Sequence, residues 1–288
     1  MSITDILIAL VPAFGLGFQV ISMQLIGGKY TNKVMGMALT TLLVGIVVFF
    51  IRPPHITPGL LIGSALCGIG FSVGIILQIK SFDLVGVTMT MPISVGEQLV
   101  GTALVGAICF HEWTTATQWM LGIGALALII GGIAMTAYHE KGGGAGTNVK
   151  KGMIYLLISS LGFIAYASFP TAFHLDGWEM IPPQAVAIFI TIFIMVAFQK
   201  GNDMWKIKTW ENMITGVCFA FGNLGIIFSN AINGVAVGYT FSQLNVIIST
   251  LGGFLILHEV KTKKETTFTM IGLALVVIGA IMIGITKQ

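Results

Sequence analysis

Charge is what this chain has least of. Only 9% of its 288 residues are Asp, Glu, Lys or Arg, where a soluble domain carries roughly a quarter. With 56% apolar residues and a mean hydropathy of +0.96, water is the wrong solvent, and no stretch is left over for a separate soluble domain. The formal net charge is +3, but the basic residues stand singly between apolar runs and form no basic face, which excludes nucleic acid as a partner. Cysteine is scarce as well. Cys67, Cys109 and Cys218 all fall in apolar segments without a CxxC pairing, so neither a disulfide framework nor a metal site is expected, and the three read as small packing residues. The N-terminal segment lacks the basic flank of a signal peptide and reads as a retained first helix. The alternation of a β-barrel is absent too.

What remains is a succession of apolar runs of about 20 residues, the length that spans the ~30 Å hydrocarbon core of a bilayer. Lipid offers no partner to a free backbone N–H or C=O, so the runs must be helices. Turn signals place them near 3 to 22, 33 to 51, 58 to 79, 85 to 110 and 117 to 138, then near 152 to 172, 181 to 199, 210 to 229, 235 to 257 and 267 to 286. The fold class is therefore all-α membrane, with ten transmembrane helices. Residues 1–138 form a first five-helix repeat, 139–151 a polar, Gly-rich linker, and 152–288 a second repeat. The repetition is legible in IGALALIIGGIAM from Ile123 against IGLALVVIGAIMI from Ile271, and in CFHEW ending at Trp113 against ILHEV ending at Val260. An odd number of helices per half makes the second half enter the membrane the other way up, an inverted repeat of the kind many transporters share.

Of the fourteen lysines and arginines, twelve lie in loops after helices 1, 3, 5, 7 and 9, with only Arg52 and Lys287 on the other side. The positive-inside rule makes those five loops cytoplasmic and puts both termini outside. The five tryptophans, Trp113, Trp119, Trp178, Trp205 and Trp210, lie at helix ends, where an amphipathic ring prefers the headgroup level.

Candidate chemistry is confined to a few polar positions inside the apolar runs. Glu97 is the one ionisable residue near mid-membrane, where a carboxylate costs roughly 2.5–3.5 kcal/mol. Its exchangeable proton, facing a water-filled cavity, makes it the proton-coupling candidate; the bland alternative is a protonated Glu bonded to a neighbouring helix. Thr90, Ser94, Glu97, Gln98 and Gly101 share one face of helix 4. Gly238, Ser242, Asn245, Ser249 and Gly252 repeat the pattern on helix 9, with Gln243 and Thr250 beside it. Two such faces meeting at mid-membrane would line a cavity of neutral donors and acceptors suited to a polyol, although Ser and Thr serve equally as interhelical glue. The substrate-binding candidates are Gln98, Asn223, Gln243, Asn245, Thr90, Ser94 and Ser242. Asn223 qualifies because Gly222 beside it permits close backbone approach. Phe14, Gln19, Tyr166 and Phe169 offer aromatic walls and hydrogen bonders, and Gly59, Gly63, Gly70 and Gly74 on helix 3 form a small-residue packing stripe. The pairs His111–Glu112 and His258–Glu259 do not make a zinc motif, since Thr115 and Thr262 stand where HExxH needs its second His. At what read as the cytoplasmic ends of helices 4 and 9, Glu112 and Glu259 are expected to be structural or gating. No catalytic constellation or phosphate loop can be assembled, so neither an enzyme nor a cofactor is expected.

VGVTMTMPISVGEQLVGT from Val85, the HEW after it, the GN at Gly222 and FSQLNVIISTLGGFLILHE from Phe241 together resemble the glucose/ribose uptake family of the drug/metabolite transporter superfamily. The likeness runs over essentially the whole chain. It implies a multi-pass secondary carrier in the bacterial plasma membrane, importing a monosaccharide by proton symport. Its central pocket would be built from helices 1, 3 and 4 and their mates 6, 8 and 9. Gln98 matches the family's QLVGT glutamine, Gln243 its SQL glutamine and Asn223 its GN asparagine. Two departures stand out: the residue before QLVGT is often apolar in the family, and Gly usually precedes the helix-end Glu where this chain has His. The superfamily is often drawn with both termini inside, against the charge count, which is retained here. The rival readings are an exporter of small metabolites or drugs on the same scaffold and, further off, a membrane-embedded enzyme. The partners expected are thus a monosaccharide, protons and the lipid bilayer. Which sugar it takes and the oligomeric state are left open.

Overall fold

The computed structural model describes residues 3–138, 149–233, 241–259 and 261–286, with the backbone alone at 3–6, 9, 227 and 230–233. The described residues are helical with no strand. The helices are α1 (Ile3–Ile26), α2 (Tyr30–Ile51), α3 (Pro58–Val85), α4 (Val87–Ile108), α5 (Ala116–Thr136), α6 (Val149–Ala172), α7 (Ile181–Ala197), α8 (Ile207–Glu211), α9 (Met213–Asn233), α10 (Asn245–Leu255) and α11 (Lys263–Thr286). Six of them, α2 to α6 and α11, are long and apolar enough to cross a membrane.

Local chemistry starts these helices where turn signals stand. Thr57 caps α3, accepting from the Leu60 N–H at 3.1 Å, and Pro58 occupies the first turn, where its missing N–H costs nothing. Thr115 and Gln118 form a reciprocal capping box at the start of α5, and Thr262 and Glu265 form another before α11. The α3–α4 junction is a single residue, Gly86, at φ +78°, a backbone state that favours glycine.

Glycines then let the helices touch. A Cβ on Gly162 would stand 2.5 Å from the Gly70 carbonyl oxygen, where α3 meets α6, and one on Gly15 would stand 2.5 Å from the Gly222 nitrogen, where α1 meets α9. Gly132 and Gly272 bring α5 and α11 together in the same way. With no hydrophobic force between helices in lipid, this backbone proximity supplies the dispersion contacts that hold them. The outer surface is correspondingly greasy: Phe50 and Ile51 are each 78% exposed and Phe198 84%, as a lipid-facing belt requires.

Side-chain contacts sort the loops into two ends. At one, Lys29 pairs with Asp203 at 3.0 Å, Asn32 donates to the Asp203 carbonyl, Lys33 reaches Gln24 and Asp83, and Glu259 meets the start of α4. At the other, Gln118 donates to the Thr286 carbonyl, Gly63 lies against Phe173, and Trp178 packs edge-on against Phe228. Every described lysine outside a helix interior is at the first end, which we call the lysine face.

The structure redraws several expected elements. α3 continues to Val85, and α6 begins at Val149, three residues sooner than expected. A short α8 precedes the eighth span. The ninth, expected over 235 to 257, is helical over Asn245–Leu255, with a turn at Gln243 and Leu244, while 234–240 lie outside the described residues. Trp113 is not an interfacial anchor: it is 5% exposed, edge-on to Trp119 and over Gly122. Cys109 is exposed rather than packed.

Candidate functional site

The polar face of α4 carries a run of side-chain hydrogen bonds inside the bundle, and its partners on other helices lie on α3 and α6. Ser94 Oγ accepts from Gln78 Nε2 at 2.9 Å and from Gln98 Nε2 at 3.0 Å. Thr90 Oγ1 is 3.4 Å from Ser81 Oγ, which in turn reaches the Gly152 carbonyl. Glu97 accepts a 2.6 Å hydrogen bond from Ser160 Oγ of α6. Pairing of each amide and hydroxyl offsets the cost of removing it from water, and a bond to a carboxyl group is the strongest of the set. Gln78, buried at 5% exposure, and Ser160 were not singled out from sequence. A lone Gln on the glycine-striped α3 and a Ser in the SS pair of α6 carry no pattern of their own, and only their contact with α4 marks them.

The second polar stripe is organised differently. Asn245 Nδ2 turns back to the Ser242 carbonyl at 2.7 Å, and Ser249 donates to the Asn245 carbonyl at 2.9 Å. The helix is interrupted at Gln243 and Leu244, so Gln243 sits in the turn before α10 and Ser242 in the helical residues that precede the turn, neither on the face of α10. The even spacing expected from Gly238 to Gly252 is thus broken at that turn, and Gly238 lies outside the described residues. Ser242, Gln243 and Asn245 are all buried.

An aromatic cluster joins α3, α6 and α9. Phe71 of α3 lies 4.7 Å from Phe219 of α9, 5.2 Å from Tyr166 and 5.8 Å from Phe163 of α6, centroid to centroid. Tyr166 donates its hydroxyl to Asn223 Oδ1 at 3.1 Å, joining α6 to α9. Gln19 donates to the sulfur of Met37 at 3.3 Å. Of the four candidates for aromatic walls and hydrogen bonders, Tyr166 and Gln19 make the inward bonds just given, while Phe14 is half exposed and stacks on Phe18, and Phe169 packs with Phe173.

Glu112 and Glu259 do not share one end of the molecule. Each follows the same C-terminal turn: the Glu112 N–H bonds the Gly106 carbonyl at 3.0 Å and the Glu259 N–H the Gly253 carbonyl at 3.0 Å, with His111 at φ +55° and His258 at φ +52° just before. Yet the Glu259 carboxylate lies at the N-terminus of α4, accepting from the Val87 and Thr88 N–H groups at 2.6 and 2.8 Å, whereas Glu112 follows its C-terminus. The 22 residues of α4 separate them by roughly 33 Å. The expectation that both lie at cytoplasmic helix ends is therefore corrected: the two motifs stand at opposite ends of α4.

Among the described residues no group of His, Cys, Asp and Glu side chains is arranged to hold a metal ion.

Residues 7–286 match the family model described as "Sugar transport protein". A protein of Listeria monocytogenes named for sugar uptake is 43% identical over 99% of this chain and 100% of its own length. Glucose uptake protein GlcU of Bacillus subtilis is 36% identical over 98% and 99%. A crystal structure 14% identical in sequence superposes with a TM-score of 0.62 over 97% of this chain and 96% of that one, a likeness of fold.

Proposed function

The chain belongs to the sugar transport protein family, and from that premise we propose that it imports a monosaccharide, glucose or ribose, by proton symport across the bacterial plasma membrane. The observation that carries this reading is the α4 face, where neutral amides and hydroxyls cluster around one carboxyl group. Gln98, Ser94 and Thr90, with Gln243, Asn245, Ser242 and Asn223 from the second half, hold sugar hydroxyls. They exchange the internal bonds just described for bonds to the substrate. Glu97 carries the proton, with Ser160 of α6 its hydrogen-bond partner at 2.6 Å.

Alternating access follows from ten spans in two inverted halves that rock about a central axis. The pattern of packing supports this division. Exchanging the first five spans for the second five turns α3·α6 into α9·α1, α4·α6 into α10·α1 and α3·α7 into α9·α2, while α2·α7 and α5·α11 map onto themselves; all of these pairs are in contact.

The test is counterflow of labelled hexoses and pentoses into proteoliposomes, with and without a pH gradient. Sugar-dependent exchange that a proton gradient drives uphill is the expected result, and no counterflow of any monosaccharide sinks the proposal. In the same assay Gln98→Ala should raise the half-saturation concentration about tenfold, the consequence of losing a hydrogen bond worth about 1.5 kcal/mol. Glu97→Gln should abolish uphill uptake and leave counterflow running.

A further inference from the structure

The contact between Glu259 and α4 spans 172 residues of sequence and joins the loop after α10 to the first turn of the helix that carries the candidate site. Val87, Thr88, Met89 and Thr90 of that turn are all buried, so its seating is set by side-chain packing and by the ties its backbone makes. The turn is separated from α3 by Gly86 alone, at φ +78°, and from the body of α4 by Pro92, which has no N–H to give the Thr88 carbonyl. A helix turn bounded by a glycine and a proline has one backbone bond fewer to the rest of its helix and tilts at lower cost. Its first two N–H groups are held from α10's side by the Glu259 carboxylate, one oxygen on each, where the partial positive charge of a helix N-terminus favours an anion. The fit leaves no spare room. A Cβ on Gly86 would stand 2.9 Å from the carboxylate, and one on Gly253 would stand 2.5 Å from Thr88.

We propose that Glu259 is a positioning residue and a latch: its carboxylate sets the tilt of α4 against α10, keeps the lysine face closed, and must let go before that face opens. The inference rests on the transporter reading above, because a tilt of α4 matters only if Thr90, Ser94, Glu97 and Gln98 meet a substrate. Release costs two charge-assisted hydrogen bonds and leaves the carboxylate free to take up water at the membrane edge, so the latch is reversible. Glu112 ends α4 in the same loop geometry at the opposite face. The effect of Glu259 is therefore confined to one side of the molecule.

The experiment replaces the three cysteines with Ser, places a Thr90→Cys reporter one turn inward from the latch, and measures its reaction with a membrane-impermeant maleimide in vesicles of each orientation. Glu259→Ala should speed labelling about tenfold from the lysine face and leave it unchanged from the other, with Glu259→Gln between the two because its amide retains one acceptor oxygen. Gly86→Ala, whose methyl group would displace the carboxylate from the other side, should act like Glu259→Ala. In sugar counterflow with Thr90 restored, the maximal rate should change several-fold more than the half-saturation concentration. Unchanged labelling in Glu259→Gln and Gly86→Ala proteins that elute as the parent does would overturn the latch. Equal acceleration from both faces would also overturn it, since that is general loosening. The labelling requires no sugar. A parent that labels as expected but exchanges no monosaccharide therefore leaves the latch standing and removes the sugar reading.

Discussion

His111 and His258 occupy left-handed backbone at φ +55° and +52°, a conformation that costs a side-chain-bearing residue about 1–2 kcal/mol. Glycine, having no Cβ, would adopt the same backbone without that cost. His111→Gly and His258→Gly should each stabilise the protein by about 1 kcal/mol, after allowance for the greater freedom of glycine in the unfolded chain. Thermal unfolding in detergent checks this, and an unchanged or lower midpoint would count against it. Lys261, in the loop beyond Glu259, donates to Thr269 at 3.0 Å. Burial pushes its amine down to about 8, although Glu259 and Glu265 pull the other way. The folded protein therefore resists the charged form, and between about pH 8 and the ordinary lysine value of about 10.5 the unfolded chain binds more protons. Stability should rise with pH across that window, and Lys261→Met should flatten the rise.

At the scale of elements, α3 shows how far sequence reasoning reaches. The glycine stripe announced a close helix contact, and Gly63, Gly70 and Gly74 do lie against Phe173, Gly162 and Phe163. Gly59 does not, having only Thr57 of its own cap nearby. Gly162→Leu should destabilise the α3–α6 pair by about 1–3 kcal/mol or more, the penalty of overpacking, readable as a lower unfolding midpoint with Gly59→Leu as the mild comparison. The α4 stripe was equally legible, because polar residues at spacings of three and four in an apolar run have little reason to be there except a partner. Its partners were not. Gln78 and Ser160 lie 16 and 63 residues from the groups they bond, and no periodicity encodes which helix packs on which. The turn at Gln243 and Leu244 was invisible for a related reason: neither residue is a helix breaker, and the interruption is fixed by tertiary context.

For the whole molecule, composition alone placed the chain in lipid, and the spacing of lysines anticipated a two-ended distribution of loops. The shared side of Glu112 and Glu259 was misjudged because matching motifs invite matching positions, whereas the structure sets them at opposite ends of α4. The charge asymmetry makes a direct prediction: a cysteine at Lys200 should react with impermeant maleimide only from the cytoplasm, and one at His55 only from outside. The reverse pattern would invert the orientation.

The bond between Glu259 and the start of α4 also bears on how the chain is made. Val87 and Thr88 leave the ribosome 172 and 171 residues ahead of the side chain that caps them. Through most of synthesis, α4 therefore waits with two amide hydrogens unanswered at the membrane edge. Its final seating belongs to the last step of assembly, when α10 and its loop arrive, and a nascent chain halted at Leu255 should leave that turn open to hydrogen exchange.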